Sequence, residues 1–240
     1  MVACSNITKY ILTVFVTGML IIVTASYNNT TKSSDGGVIY KPGTPSFNLR
    51  RGALCSNKVP FQSHSEDRPF GSYLQQTLDF APFQDLFTAV SAAAGVALQS
   101  RGEAHITVVT PPEFDYVLKQ VGVTIEEIEA IAIDANIQGA RLKPVCLGRF
   151  NGSLPRPTSD TDKGDFVLYS LVVADGHGDL LRIRQQISKL FHDKGGEGAL
   201  FQPEAFWPHV TIGYDRRDLF VEDGIYKGKN FCYARIHSAD

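Results

Sequence analysis

The pattern of hydrophobic and polar positions changes period several times between about residue 58 and the end of the chain. Short runs rich in β-branched and apolar residues, which are typical of strands, occur at residues 105–109, 142–147, 166–174, 209–212 and 231–236. Helix-favouring, apolar-rich segments occupy residues 83–98 and 179–191. Strands and helices therefore interleave along the chain, and the pattern predicts an α/β fold of the α+β type.

Two helix starts carry the residues of a capping box. Thr110 is followed by two prolines and then by Glu113, and Thr124 is followed three positions later by Glu127. In a capping box the Thr side chain accepts a hydrogen bond from the third helical residue, and the Glu at that position bonds back to the cap. We therefore expect helices to begin directly after Thr110 and after Thr124.

The N-terminal segment has the order of features found in a secretory signal peptide. Lys9 precedes an apolar run over residues 10–25, which ends in small residues where a signal peptidase reads the chain. A membrane span usually needs roughly 20 apolar residues, and this run is shorter and contains several threonines. We expect a signal peptide over residues 1–25 and a secreted protein; the alternative is an uncleaved signal anchor.

A polar segment rich in Asn, Thr, Ser, Gly and Pro follows the apolar run. Its composition predicts a flexible linker over residues 26–57, with the folded domain at residues 58–240. Secretion would make the Asn-x-Ser/Thr sites at Asn28, Asn29 and Asn151 candidates for glycosylation, because this is the acceptor pattern for N-linked sugars.

Composition and cysteine content limit the partners of the chain. Hydrophobic residues make up 43% of the sequence and the formal net charge is -2, so no overall basic field indicates a long nucleic acid as partner. Cys4 would leave with the signal, and Cys55, Cys146 and Cys232 allow at most one internal disulfide, whose pairing stays open. No cysteine–histidine spacing typical of zinc is present, so we expect no metal and no cofactor.

Two tripeptides carry the candidate chemistry: His105-Ile106-Thr107 and His209-Val210-Thr211. In a strand the side chains at positions i and i+2 share a face, so each His lies beside its own Thr, while Ile106 and Val210 point into packing. Two imidazoles can act as acid and base near neutral pH, and hydroxyl groups can bind phosphate oxygens. If the two strands lie close together, this set is suited to breaking a phosphodiester without a metal.

The sequence resembles the 2H phosphoesterase superfamily, which has one His-x-Thr/Ser motif in each lobe. The segments RGEAHITVVTPPEF and FWPHVTIGYD are most similar to the 2H domains of the fungal Swiss Army Knife RNA-repair proteins, and the resemblance covers residues 73–236. It implies a two-lobed, pseudo-symmetric fold with antiparallel-rich sheets facing across a central cleft and helices outside. It also implies that His105 and His209 are the general acid/base pair and that Thr107 and Thr211 bind the phosphate.

The same resemblance implies a substrate class. Its members open 2',3'-cyclic nucleotide ends, 2',5'-linked oligonucleotides or related cyclic phosphates. We expect hydrolysis of such a bond by a monomer that acts on nucleotides or short RNA ends and has no membrane contact after signal removal. Tyr214, Arg216 and Arg149 are further candidate substrate contacts, and the acid and base roles of the two histidines stay unassigned.

Two rival functions remain open at this point. A secreted module could bind a nucleotide or RNA without turnover, although binding alone does not need two complete proton-transfer motifs. A ribonuclease acting by internal transfer would leave cyclic phosphate ends instead of consuming them. Analysis of the reaction products separates these possibilities.

Overall fold

The computed structural model describes residues 38, 40, 42–157 and 159–239, together with the backbone of residues 9–16 and 19–26. Within these ranges nine strands and four α-helices alternate, and the strand pairings are mostly antiparallel. The predicted α+β type is therefore confirmed.

Two strands near the N-terminus, β1 (Lys9–Val16) and β2 (Met19–Ser26), pair with each other in antiparallel orientation. The expected signal peptide falls on these strands and on residues outside the described ranges, and it stays a prediction. The expected glycosylation sites at Asn28 and Asn29 lie outside the described residues. None of the helices in the described part of the chain has both the length and the apolar character needed to cross a bilayer.

The larger sheet has five strands in the order β3-β9-β6-β7-β8. Its strands are β3 (Ser46–Arg50), β6 (Lys143–Ser153), β7 (Asp165–Ala174), β8 (His209–Tyr214) and β9 (Cys232–Ala239). The β3–β9 pairing is parallel and the others are antiparallel. A second sheet pairs β4 (Leu74–Leu78) with β5 (Ala104–Val109) in antiparallel orientation, and β5 lies beside β8, so the two sheets meet at these strands.

The helices cover the sheets and include both predicted capping boxes. They are α1 (Ala81–Ala94), α2 (Pro111–Glu113), α3 (Ile125–Asp134) and α4 (Asp179–Asp193). The chain after α2 continues as a π-helical turn over Phe114–Leu118 and a 3-10 turn over Lys119–Val121. The Thr110–Glu113 and Thr124–Glu127 boxes are both formed, with each Thr accepting from the Glu amide and each Glu accepting from the Thr amide.

Helix α4 packs one apolar face against the core. Leu180, Ile183, Ile187 and Phe191 are all buried at the spacing that the sequence pattern predicts. Each full burial of such a side chain contributes about 1.5–3 kcal/mol to stability. This face therefore holds the helix against the main core, beside α3 and β5.

The segment expected to be a linker contains one element of the larger sheet. Ser46–Arg50 form β3, which pairs with β9, and Leu49 and Leu54 are buried in the main core. The composition of residues 26–57 hides this strand because the few apolar residues here are separated by Gly, Pro and Asn. The ordered part of the domain thus begins before residue 58.

The cysteines and the third glycosylation site fall on the same strands. Cys146 in β6 and Cys232 in β9 form a disulfide, and Cys55 is free and exposed. Strand β6 runs further than the apolar pattern indicates, so Asn151 lies near its end and is exposed to solvent rather than in the following loop. Cys4 lies outside the described residues.

Candidate active site

The two His-x-Thr tripeptides lie on the adjacent strands β5 and β8. Ile106 and Val210, the middle residues, are buried in the core, which confirms the predicted alternation. The four flanking side chains are partly exposed on the other side of their strands. The two imidazoles are near enough that the charge of His105 lowers the pKa of His209. The structure therefore brings the two motifs together.

A buried arginine on α4 holds together the end of β5 and the loop that leads into β8. Arg184 donates to the carbonyl of Val108 at the end of β5 (2.6 Å) and pairs with Glu113 of the capping box (2.8 Å). The same guanidinium donates to three carbonyls of the loop that leads into β8, those of Gln202, Pro203 and Ala205. Arg184 thus ties the end of the first motif strand to the approach of the second.

The tautomer of His209 follows from its hydrogen bond. Its Nδ1 lies 2.7 Å from the carbonyl oxygen of Trp207. A carbonyl oxygen can only accept, so Nδ1 carries the proton and a neutral His209 has its lone pair on Nε2. Burial, and then the positive charge of Lys227, lower the pKa of His209 to about 3. Near neutral pH this imidazole is therefore an uncharged base.

His105 has acidic and aromatic neighbours. Its Nδ1 lies 3.3 Å from a carboxylate oxygen of Glu103, an ion-pair distance without the alignment of a hydrogen bond. The interaction with His105 lowers the pKa of the Glu103 carboxyl, although partial burial opposes it. The ring centroid of Tyr73 lies 6.2 Å from that of His105, and His64 stacks on Tyr73 at 4.3 Å. His105 therefore has a carboxylate within ion-pair distance, whereas the carboxylate that raises the pKa of His209, Asp218, forms its ion pairs with Lys227 and Arg101.

His64, which lies in a polar stretch before β4, is a half-buried neighbour of the site. Its Nε2 is buried without a hydrogen-bond partner among the described residues. Burial is the main cause that lowers the pKa of His64, and the charge of His105 adds to it, while Glu103 opposes it. The polar stretch around residue 64 gave no signal for this position, because the stacking depends on how the segment folds back onto β4.

The hydroxyl group of Thr211 is already engaged by a buried carboxylate. It donates to Asp218 Oδ2 at 2.9 Å. Asp218 also accepts from Arg101 Nη2 at 2.8 Å and from Lys227 Nζ at 2.9 Å. Burial raises the pKa of the Asp218 carboxyl, but Lys227 and Arg101 outweigh burial and hold it well below its usual range. Asp218 is therefore ionised and orients Thr211.

Thr107 differs from Thr211 in this respect. Its hydroxyl group has no hydrogen-bond partner within the described part of the chain, and its side chain lies on the same face of β5 as His105. It can therefore donate directly to a phosphate oxygen. A hydroxyl group has a single proton to donate, and that of Thr211 goes to Asp218. Thr211 can therefore donate to a phosphate oxygen only after its hydrogen bond to Asp218 is broken.

Of the further predicted contacts, Tyr214 lies on the face that carries the second motif. Thr211 is paired with Ser170 of β7 and Tyr214 with Leu168, so a register shift returns Tyr214 to the face of Thr211. Its ring packs against the small apolar cluster that contains Phe166. Tyr214 thus belongs to the wall beside the site.

Arg149 and Arg216 are placed elsewhere. Arg149 is paired with Tyr169, and Thr211 with the next residue of β7, Ser170, so Arg149 and Thr211 lie on opposite faces of the sheet. The guanidinium of Arg149 lies over the rings of Tyr169 and Tyr233. Arg216 donates to the carbonyls of Lys163 and Thr161 and lies 4.1 Å from the Phe166 ring centroid. Both arginines thus have structural partners, and among the described residues neither contacts His105 or His209.

The structure adds residues that the sequence did not single out. Asp218 and Lys227 come seven and sixteen positions after Thr211, and no spacing rule links them to a His-x-Thr motif. Tyr73, just before β4, borders His105. Among the described residues no three His, Cys, Asp or Glu side chains come together as a metal site.

Comparison with known proteins gives one match. A family model described as "Swiss Army Knife, 2H phosphoesterase domain" matches residues 72–220, which is more than half of the chain and includes both motif strands. No curated protein and no solved structure matches the chain. The chain therefore belongs to the Swiss Army Knife family of 2H phosphoesterase domains, whose general activity is that of a phosphoesterase.

Proposed function

We propose that this protein hydrolyses 2',3'-cyclic or 2',5'-linked nucleotide phosphodiesters without a metal, with His209 as the general base and His105 as the general acid. The observation that carries the proposal is the contrast between the two imidazoles. His209 has its proton fixed on Nδ1 by the Trp207 carbonyl and a cation, Lys227, nearby. His105 faces the carboxylate of Glu103 instead.

The proposed chemistry follows from this contrast. Nε2 of His209 takes a proton from water as the water oxygen attacks phosphorus. The bond from phosphorus to one ribose oxygen breaks, and the imidazolium of His105 gives its proton to that oxygen. Water thus supplies the oxygen of the new P–O bond. After product release His209 loses its proton to solvent and His105 takes one up, which restores both groups. Neither step needs a metal-bound hydroxide.

An exposed aromatic ring supports a nucleotide as the substrate. Phe220 is 49% exposed, and its ring centroid lies 5.8 Å from Lys227 Nζ and 5.9 Å from Arg101 Cζ. Both cations contact Asp218, which binds Thr211. An aromatic face at this position can stack a base while the phosphate lies next to the motif, as in other sites for unpaired nucleotides.

The test is incubation of the purified protein with a panel of 2',3'-cyclic nucleotides and 2',5'-linked dinucleotides, followed by chromatography. The proposal predicts nucleoside monophosphates from the cyclic substrates, or cleavage of the 2',5' bond. Unchanged substrates together with measurable binding would support the noncatalytic module. Accumulation of cyclic ends from a longer RNA, with no opening of those ends, would support the internal-transfer ribonuclease.

We also propose that the protein is secreted and acts as a monomer on nucleotides or short RNA ends. The support is the apolar run over residues 10–25 with its small-residue exit. Protein from the culture medium of cells that express the full chain should begin near Ser26, and its mass in solution should be that of one chain. A membrane-retained product that starts at Met1 would support the signal-anchor alternative instead.

A further inference from the structure

Lys227 is a buried ammonium group beside the second motif. Its side chain is 3% exposed, and it lies outside the part of the chain that the family model matches. Its Nζ is 2.9 Å from Asp218 Oδ1 and 3.5 Å from Thr211 Oγ1. A buried charge is costly unless its donors are satisfied, so the number of acceptors around Lys227 matters.

The carboxylate of Asp218 is fully used by its donors. Oδ2 accepts from Thr211 and from two nitrogens of Arg101, and Oδ1 accepts from Lys227 and from the backbone amide of Leu219. A carboxylate has about four lone-pair positions. Asp218 therefore has no capacity left for further donors of the two cations.

The cations, by contrast, have donors to spare. An ammonium has three N–H groups, of which Lys227 directs one to Asp218 and one, at long range, to Thr211. Its third has no acceptor among the residues that the structure describes. Arg101 has five N–H groups, and both of its hydrogen bonds in the described structure go to Asp218. Both cations thus form their ion pair with the same carboxylate, next to an uncharged His209.

Another buried cation in the same chain shows what purely structural pairing looks like. The side chain of Arg184 is 1% exposed, and each of its three nitrogens has at least one acceptor, from Val108, Glu113 and the loop before β8. Lys227 is almost as buried, but it has one carboxylate and one distant hydroxyl. The shortage of acceptors thus distinguishes the buried Lys227 from the buried Arg184.

We propose that Lys227 binds a nonbridging oxygen of the substrate phosphodiester, with Arg101 as the second cation, and that Asp218 positions both cations and Thr211. A phosphodiester carries one negative charge and two nonbridging oxygens, which can accept hydrogen bonds from the spare donors of these two cations. This deepens the proposed function, on which it rests, by naming the groups that hold the phosphoryl group.

The first experiment measures binding of inorganic phosphate by calorimetry near neutral pH. The wild-type protein is compared with Lys227→Met and with Lys194→Met, which removes an ion pair to Glu127 away from the motifs. Loss of one hydrogen bond to a charged group predicts phosphate binding roughly tenfold weaker or more for Lys227→Met. Lys194→Met should bind like the wild type. An unchanged affinity in a folded Lys227→Met protein overturns the proposal.

A second measurement does not depend on how well that variant folds. The side-chain nitrogen resonance of Lys227 is followed by NMR in the wild-type protein during phosphate titration, and Lys227→Arg supplies the assignment. We expect this resonance to shift together with those of His209, while that of Lys194 stays in place. Phosphate that shifts His209 but not Lys227, or that does not bind at all, overturns the proposal.

Both measurements are independent of turnover, so the two proposals can fail separately. If phosphate binds through Lys227 but no cyclic or 2',5'-linked nucleotide is hydrolysed, the proposed function is wrong and Lys227 remains a phosphate ligand. If the substrates are hydrolysed and Lys227→Met leaves both turnover and phosphate binding unchanged, only the role of Lys227 is wrong.

Discussion

The two motif strands carry the same His-x-Thr pattern in opposite surroundings. On β5, His105 lies next to the Glu103 carboxylate, and the Thr107 hydroxyl is free within the described structure. On β8, His209 donates to a backbone carbonyl near Lys227, and Thr211 donates to the buried Asp218. The identical residue types are therefore not chemically equivalent.

Because its surroundings differ on the two strands, a symmetric pattern can perform an asymmetric reaction. Hydrolysis needs one group that accepts a proton and one that gives a proton in the same step. Neighbouring charges decide which imidazole is the acid and which is the base. A nearby cation disfavours the protonated form of an imidazole, and a nearby anion favours it. Substitutions of the two threonines, by contrast with those of the two histidines, should therefore have different consequences on β5 and on β8.

The largest expected effect is loss of either imidazole. His105→Ala and His209→Ala should each lower kcat roughly 10²–10⁴-fold, because each removes a proton-transfer group. The double variant should be far less impaired than the product of the two effects, since the residues act as a unit. Steady-state kinetics on the best substrate of the panel measures this. His177→Ala, in an exposed turn, is the control, and near-normal activity of either single variant would contradict the mechanism.

The two threonines should separate activity from stability. Thr107→Val removes a free hydroxyl, so kcat/KM should fall roughly tenfold to a hundredfold through one lost hydrogen bond to phosphate, with the melting temperature unchanged. Thr211→Val also removes a donor from the buried Asp218, so it should lower both activity and stability. Kinetics and thermal unfolding on the two matched variants provide the comparison. Equal melting temperatures of Thr107→Val and Thr211→Val would show that the Thr211–Asp218 hydrogen bond does not contribute to stability.

Burial of a neutral His209 makes the stability of the fold depend on pH. The pKa of His209 is lowered to about 3, while an unfolded imidazole has a pKa of about 6.5. Between these values the unfolded chain binds a proton that the folded chain does not. The stabilisation is thus complete above about pH 6.5 and is lost as the pH falls, by up to about 1.4 kcal/mol per pH unit.

Denaturant unfolding between about pH 6.5 and pH 5 tests this dependence. His209→Gln cannot take up the proton, so its free energy of unfolding should change less with pH than that of the wild type. A residual slope of the same sign remains, because burial also lowers the pKa of His64. Equal slopes for the wild type and His209→Gln would show that His209 is not held in the neutral form.

The smallest expected effect is that of a chelator. Both proton transfers are assigned to histidines and the phosphate charge to Lys, Arg and Thr groups, so activity should survive prolonged treatment with EDTA. The assay compares treated protein with protein resupplied with Mg²⁺ or Zn²⁺. Complete loss of activity that one divalent ion restores would point to metal-assisted hydrolysis.

Sequence patterns predicted the elements around the site because local chemistry determines them. The two capping boxes and the β-branched runs gave the starts of α2 and α3 and the location of both motif strands. Strand alternation also predicted that Ile106 and Val210 are buried. Strand β3 was missed, because its stability comes from pairing with the distant β9 rather than from its own composition.

The surroundings of the motifs could not be predicted in the same way. Asp218 and Lys227 reach Thr211 only through the loop after β8, and His64 reaches the site only through stacking on Tyr73. Arg149 looked like a substrate contact because of its charge, yet the pairing with Tyr169 places it on the other face of the sheet. Such contacts depend on strand register and loop path, which single-sequence patterns do not encode.

The most direct test of this asymmetry is nitrogen NMR of the histidine side chains in the wild-type protein as a function of pH. The ring nitrogens report both the charge and the tautomer of each imidazole. From about pH 8 to about pH 5, His209 should stay neutral, because burial and Lys227 lower its pKa, and its proton should stay on Nδ1, because Nδ1 donates to the Trp207 carbonyl. If His209 instead titrates like an exposed histidine near pH 6.5, or carries its proton on Nε2, it is not the base and the assignment of the two halves is wrong.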